Sequence, residues 1–199
     1  MKIIIDAMGG DNAPDAIVRG AVQAADQLGV DIVLVGDEAR VRPLLEQSAP
    51  QNPDRITVHH ASEIITMEDN PISVVRQKKD SSLVVALRLL GEGAGDAMVS
   101  AGSTGALLTG ATLFVKRIKG VRRAALAPVL PTAKGGSLLV DCGANVECSA
   151  ESLVQFAFMG YYYTQKQMGM KNPRVGLINN GAEETKGTDA LREAYQILK

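Results

Sequence analysis

At 199 residues, 46% of them hydrophobic, the chain is long enough to bury a good-sized core within one domain. A formal net charge of −1 gives no global case for nucleic-acid binding. Aromatics at 4% with no tryptophan exclude the stacking platforms that single strands require. No stretch approaches the roughly 20 apolar residues that span a bilayer. The two cysteines, Cys142 and Cys148, are too few for a disulfide framework and match no zinc spacing, which points to a reducing cytoplasm.

Residues 2–6 predict a strand rather than a signal peptide, because charge follows three isoleucines. Ala7-Met8-Gly9-Gly10-Asp11 is its turn. Asn12 is placed to cap a helix with Pro14 in its first turn. Ile17, Val18, Ala21, Ala24, Ala25 and Leu28 give that helix its apolar face. Residues 30–35 predict a second strand ending at Gly36-Asp37, residues 39–48 a helix, and residues 55–60 a third strand. Residues 62–80 mix apolar and charged side chains and hold Arg76, Lys78 and Lys79. Ser81 caps a helix over 83–90, which Gly91-Glu92-Gly93-Ala94-Gly95 breaks. Residues 96–100 predict a strand, the small residues 101–105 a loop, and residues 107–115 a helix.

From Thr112 to Val140 the chain has no acid but carries Lys116, Arg117, Lys119, Arg122, Arg123 and Lys134. Pro128 and Pro131 mark residues 125–131 as an edge strand. Residues 137–141 predict a buried strand, followed by the loop Cys142-Gly143-Ala144-Asn145. Ser149 caps a helix whose face carries Leu153, Phe156, Ala157, Gly160, Tyr161 and Thr164, and Gly169 ends it. Residues 174–179 predict the last strand, residues 180–187 its loop, and Thr188 starts a final helix. Strand, glycine loop and helix thus recur at least five times. That alternation predicts an α/β fold of three layers, a mostly parallel sheet with helices on both faces. Ligands then bind beyond the carboxyl ends of the strands, where the loops opened by Asp6, Ser100, Asp141 and Asn179 lie.

Gly102, Ser103, Thr104 and Gly105 offer backbone N–H groups and hydroxyls at a helix start, a seat for an anion; the alternative is a tight turn with Ser103 as a cap. Ser103 does not read as a nucleophile. Hydrolases with such a loop place their histidine after the serine, and His59 and His60 precede it, on opposite faces of a strand. The glycines at 91–95 follow a helix and precede a strand, the wrong order for a dinucleotide fingerprint. Lys186 is the only base in a loop with Glu183 and Glu184. It either meets a phosphate or oxyanion, or pairs with those glutamates. Asp6, Asp11 and Asp141 sit beside glycines at strand ends, where they orient a ligand or cap the turns. The stretch from Lys116 to Arg123 is either a docking surface for an acidic partner or a set of cations at a helix C-terminus.

Taken together, Asp6-Ala7-Met8-Gly9-Gly10-Asp11, Ser100-Ala101-Gly102-Ser103-Thr104-Gly105-Ala106, Leu126-Ala127-Pro128 with Leu130-Pro131-Thr132, Asp141-Cys142-Gly143-Ala144-Asn145, and Arg174-Val175-Gly176-Leu177 with Glu184-Thr185-Lys186-Gly187 resemble the phosphate acyltransferase family of bacterial phospholipid synthesis (the PlsX type). The blocks come in the family's order and cover essentially the whole chain. The resemblance implies a fold like the isocitrate and isopropylmalate dehydrogenases and phosphotransacetylase. It implies transfer of a long-chain acyl group from acyl carrier protein to inorganic phosphate, giving acyl phosphate, by a cytoplasmic homodimer without metal or cofactor. It assigns catalysis to Lys186, phosphate or substrate to Asp6, Gly9, Gly10, Asp11, Gly102, Ser103, Thr104, Gly105, Asp141, Asn145 and Asn180, and carrier docking to Lys116, Arg117, Lys119, Arg122 and Arg123. Members of the family continue beyond the position of Lys199, with a further glycine-asparagine loop and an amphipathic hairpin that touches the inner face of the membrane. Residues 1–199 are then expected to be a single α/β domain, the N-terminal part of a longer chain. Two alternatives remain open: a phosphotransacetylase-like enzyme using coenzyme A, and a non-catalytic module that binds phosphate or carrier.

Overall fold

The computed structural model describes residues 1–133 and 135–199; Lys134 of the acid-free stretch lies outside them. The chain divides into two compact units, Met1–Lys116 and Arg117–Lys199.

The first unit is built on a four-stranded parallel sheet of β1 (Lys2–Asp6), β2 (Asp31–Gly36), β3 (Ile56–His60) and β4 (Ala97–Val99), in the order β3-β2-β1-β4. Both inner strands pair along their full length, Ile4 opposite Val33 and Met98. Alternation along the strands sorts side chains to two faces. Ile32 and Leu34, with Ile3 and Ile5, pack on Val18, Ala21, Val22 and Ala25 of α1 (Asp15–Leu28) and Val41 of α2 (Glu38–Ser48). Ile4 and Val35 turn the other way, onto Ala86 of α4 (Ser82–Gly91). Each such side chain, removed fully from water, contributes about 1.5–3 kcal/mol. The continuous apolar runs of β1 and β2 are therefore those of strands covered on both faces.

A second cluster joins α3 (Pro71–Gln77), α4 and α5 (Thr104–Gly110) through Val74, Val75, Leu83, Val84, Leu87 and Ala106. The helix expected from residue 107 starts at Thr104 and passes into a π turn over Ala111–Val115. Ser81 caps α4 as its position predicts, its hydroxyl accepting from the Val84 N–H. Asn12 does not cap α1 through its side chain: Pro14 holds the cap position, and only the Asn12 carbonyl takes part, accepting from Ala16. Within residues 62–80, Lys78 is half-buried, donating to Asp69 at 2.7 Å and to the Ile64 carbonyl at 2.9 Å.

The second unit departs from the expected alternation. Residues 137–141 are not a buried parallel strand. Instead β5 (Val129–Thr132) and β6 (Gly135–Leu138) form an antiparallel hairpin. Only Ala133 and Lys134 separate these strands, and a parallel pair needs a crossover of a dozen residues or more. Residues 174–179, expected as the last strand, are irregular and mostly exposed. No described strand lies beside them to supply the ladder bonds that a buried strand requires. The helices are as expected: α6 (Ala150–Lys166) is capped by Ser149 and α7 (Asp189–Leu198) by Thr188.

The glycines separate two kinds of position in the first unit. A Cβ on Gly20, midway along α1, meets nothing within 4 Å, so Gly20→Ala should stabilise the chain by about 0.5–1 kcal/mol. A Cβ on Gly9 would lie 2.4 Å from Asp6 Oδ2. Gly9→Ala should destabilise by about 1–3 kcal/mol. Urea denaturation of both variants checks the opposite signs.

Candidate functional site

In the first unit the loops after β1 and β4 are locked together by one buried carboxylate. Asp6 is 2% exposed. Its Oδ1 accepts from the Met8 N–H at 3.3 Å, and its Oδ2 accepts from the Ser100 hydroxyl at 2.7 Å. The Ser100 oxygen in turn accepts from the Gly102 N–H at 3.1 Å. Gly9 and Gly102 pack backbone on backbone, since a Cβ on either would meet the other within 3.2 Å. Gly10 holds φ of 111° with its Cα facing Ala101, a conformation that suits glycine. Asp6 thus looks inward, while Asp11 is exposed.

At the head of α5, Ser103 is buried and its hydroxyl accepts from the Ala106 N–H. The hydroxyl is thereby used as a cap. Thr104 is exposed, and the N–H groups of Thr104 and Gly105 open the helix, where intrahelical acceptors are lacking. The Gly102 N–H is already taken by Ser100. Of residues 102–105, the expected anion seat, Gly102 therefore has its N–H committed within the loop. Gly105 has a packing reason of its own: a Cβ there would lie 2.9 Å from Pro71 at the start of α3.

In the second unit Asp141 and Asn145 spend their polar atoms on each other and on the preceding segment. Asp141 accepts from the N–H groups of Leu126 (2.8 Å), Ala144 (3.2 Å) and Asn145 (2.7 Å), and from the Asn145 side chain. Asn145 also donates to the Ala124 carbonyl. Burial pushes the Asp141 carboxyl up, but the bonds from Leu126, Asn145 and Ala144 outweigh it and hold it below the usual range. Asp141 borders an apolar cleft of about 540 Å³ walled by Val140, Leu153, Phe156 and Tyr161. Beside it, burial first and the Asp141 charge second push the Cys148 thiol up, against the pull of Arg123.

Three of the arginines in the basic stretch have local partners. Arg117 donates to the Arg122 carbonyl, Arg122 pairs with Glu151 at 2.6 Å, and Arg123 donates to the Glu147 carbonyl. Lys116 and Lys119 are exposed and have no ion pair among the described residues.

Lys186 is exposed in the loop before α7. Its methylene stem lies on Gly181, where a Cβ would come within 2.8 Å of Lys186 Cγ. The alternative of a pairing with its neighbouring glutamates is not made: among the described residues Lys186 has no ion pair, and Glu184 reaches Lys199 at 3.5 Å. A cleft of about 160 Å³ receives Asn179, Gly181, Glu183, Lys186, Arg192 and Tyr195. Asn180 is exposed, its N–H donating to Asn179 Oδ1 at 2.8 Å. Asn179 and Arg192, which bind this loop's backbone, carry no motif that singles them out in sequence. His60, set aside above as a catalytic partner of Ser103, accepts the Glu38 N–H on Nδ1 at 3.3 Å.

The sequence model of a family described as "Fatty acid synthesis protein" matches residues 1–199, and the chain belongs to that family. Its curated relatives carry a more particular name. The phosphate acyltransferase of Alkaliphilus oremlandii is 50% identical over 200 residues, covering 100% of this chain and 59% of that protein. That of Heliobacterium modesticaldum is 48% identical with the same coverage, and that of Desulfitobacterium hafniense (strain Y51) 47%. The chain thus spans about 59% of the length of these relatives. Among solved structures, the EutD phosphotransacetylase from Staphylococcus aureus superposes with a TM-score of 0.64 at 19% identity, covering 99% of this chain and 63% of that one. This establishes a phosphotransacetylase-like α/β fold. Among the described residues no helix is long and apolar enough to cross a membrane.

Two outcomes follow from the Asp141 corner. The folded carboxyl lies below its unfolded value of about 3.9, so its stabilising contribution is present above that pH and is lost as pH falls through the folded value. Near-ultraviolet circular dichroism should show a smaller acid-induced loss in Asp141→Asn than in the parent chain between about pH 4 and pH 2. Iodoacetamide at pH 8 should alkylate exposed Cys142 well before half-buried Cys148. Mass spectrometry of the peptides reads the order.

Proposed function

We propose that this chain belongs to an enzyme that moves a long-chain acyl group from acyl carrier protein to inorganic phosphate, yielding acyl phosphate for phospholipid synthesis. The observation that carries the reading is whole-chain identity of 46–50% to relatives called phosphate acyltransferase. The fatty acid synthesis family supports a fatty acyl group as the cargo.

The chemistry asks little of the protein in covalent terms. A phosphate oxygen attacks the thioester carbonyl, the tetrahedral oxyanion collapses, and the carrier thiolate leaves and takes up a proton. What must be supplied is phosphate held in line and positive charge or N–H donors at the oxyanion. The amides of residues 103–105 and the Thr104 hydroxyl are suited to hold phosphate. Lys186, without an ion pair among the described residues, is suited to meet the developing charge. Asn180 is left to orient the acyl end, whereas Asp6, Gly9, Gly10, Asp141 and Asn145 serve by shaping the loops. Among the described residues of the basic stretch, Lys116, Arg117, Lys119 and Arg123 have no ion pair and suit an acidic carrier, and their attraction weakens with salt. The enzyme acts as a homodimer in the cytoplasm, and its fatty product gives a reason for peripheral contact with the inner face of the membrane.

The test compares palmitoyl-carrier protein with acetyl-coenzyme A as donors, following phosphate-dependent thioester loss. Preference for the carrier thioester is expected. Preference for acetyl-coenzyme A overturns the donor, and carrier binding without thioester loss in a folded chain points to the non-catalytic module. Lys186→Ala should lower turnover by roughly 10²–10³-fold, about 2.7–4 kcal/mol of transition-state stabilisation. Unchanged turnover removes Lys186 from the chemistry.

A further inference from the structure

The backbone around Lys186 is held with unusual completeness for an exposed loop. Its own N–H donates to the Glu183 carbonyl at 3.0 Å, and its carbonyl accepts from Asn179 Nδ2 at 3.1 Å. The carbonyls on either side are taken by a single guanidinium: Arg192 Nη1 donates to Gly187 O at 2.7 Å and to Thr185 O at 3.3 Å. Arg192 is itself fixed by Asp189, one turn earlier in α7. Three consecutive carbonyls, those of residues 185, 186 and 187, thus point at two side chains from the segments flanking the loop. Gly187 makes this possible. Its φ is 88°, and a Cβ there would lie 2.6 Å from Asn179 Oδ1.

The same arrangement disposes of the charges. Glu184 is drawn to Lys199, and the Lys186 stem lies on Gly181, so its ammonium leaves from a fixed base with no carboxylate to neutralise it among the described residues. Holding a charged group in one geometry removes an ordering cost that would otherwise fall in the transition state. A planar guanidinium suits this task, because its donors form a rigid fork that can serve two carbonyls at once.

We propose that Arg192 and Asn179 are positioning residues for Lys186, fixing the 185–187 backbone so that the lysine ammonium is presented to the oxyanion that develops in the reaction. This rests on the reading of Lys186 given above. Neither side chain touches substrate; both act through the lysine.

The experiment is a double-mutant cycle with phosphate-dependent consumption of palmitoyl-carrier thioester as the readout. Arg192→Ala removes the fork, and Asn179→Ala removes the donor facing Lys186 O without adding charge. Each should lower kcat by roughly 10- to 100-fold, with KM for phosphate changed by less than about twofold, as expected for an interaction realised in the transition state. On a Lys186→Ala background neither should cause further loss, because the group they position is gone. Added guanidinium should restore part of the Arg192→Ala activity. Hydrogen exchange of amides 183–187 should quicken in both variants. Losses that multiply with Lys186→Ala, a change confined to KM, or unaltered exchange overturn the proposal. If Arg192→Ala does not fold, Asn179→Ala decides alone. Failure of the underlying reading is seen separately, as full turnover in Lys186→Ala itself.

Discussion

The first unit depends on the buried carboxylate of Asp6. A charge 2% exposed is tolerated only when its lone pairs are occupied. Here the Met8 amide and the Ser100 hydroxyl occupy them, and the Ser100 oxygen passes the connection on to Gly102. β1 and β4 are neighbours in the sheet, so their loops emerge side by side, and this chain of bonds sets their spacing. Gly9 and Gly102 have no side chains because the carboxylate, the hydroxyl and the facing backbone already fill that space. The position of the α5 head, and with it the exposed Thr104, follows from the same lock.

The Lys186 loop solves a different problem. It has almost no burial to hold it, so its order comes from hydrogen bonds that Asn179 and Arg192 make to its carbonyls. Such bonds are individually modest in water, and their value lies in restricting the loop rather than in stability. The Asp141–Asn145 corner is intermediate. Both residues were read as ligand-binding candidates, yet their polar atoms are committed to the turn they occupy and to residues 124–126. A carboxylate with four donors around it shapes a loop more readily than it receives a substrate.

The basic stretch shows how sequence and structure count charge differently. Six cations without an acid between Thr112 and Val140 suggest an uncompensated patch. Glu151 lies outside that stretch but turns back onto it and pairs with Arg122, while Arg123 donates only to the backbone carbonyl of Glu147. Among the described residues one cation of the stretch is thus paired with an acid from outside it, so its net positive charge is smaller than the sequence implies.

Periodicity alone was enough to place β1 to β3, α1, α2 and α4, because their hydrophobic patterns come from burial against each other within a short span of chain; α3, only seven residues long within the mixed segment 62–80, left no such pattern. The caps of α4, α6 and α7 were equally legible, since a cap is a contact between residues three apart. The hairpin in place of a parallel strand was not. The apolar run at 137–141 states that the segment is hydrophobic, not which neighbour it pairs with, and the short link to β5 decides that. The same holds for residues 174–179. Among the candidate residues, the glycine loops stand out in sequence as small residues and hydroxyls between a strand and a helix, and Lys186 through the block Glu184-Thr185-Lys186-Gly187 that carries the family resemblance. The sequence by itself thus determined the fold class, the candidate loops and the lysine. Only the tertiary structure decided that Asp6 faces Ser100, that Gly105 meets Pro71 and that Arg192 grips the Lys186 loop. Those are contacts between residues distant along the chain or without a distinguishing spacing, and a pattern of residue types carries no record of where two such side chains meet.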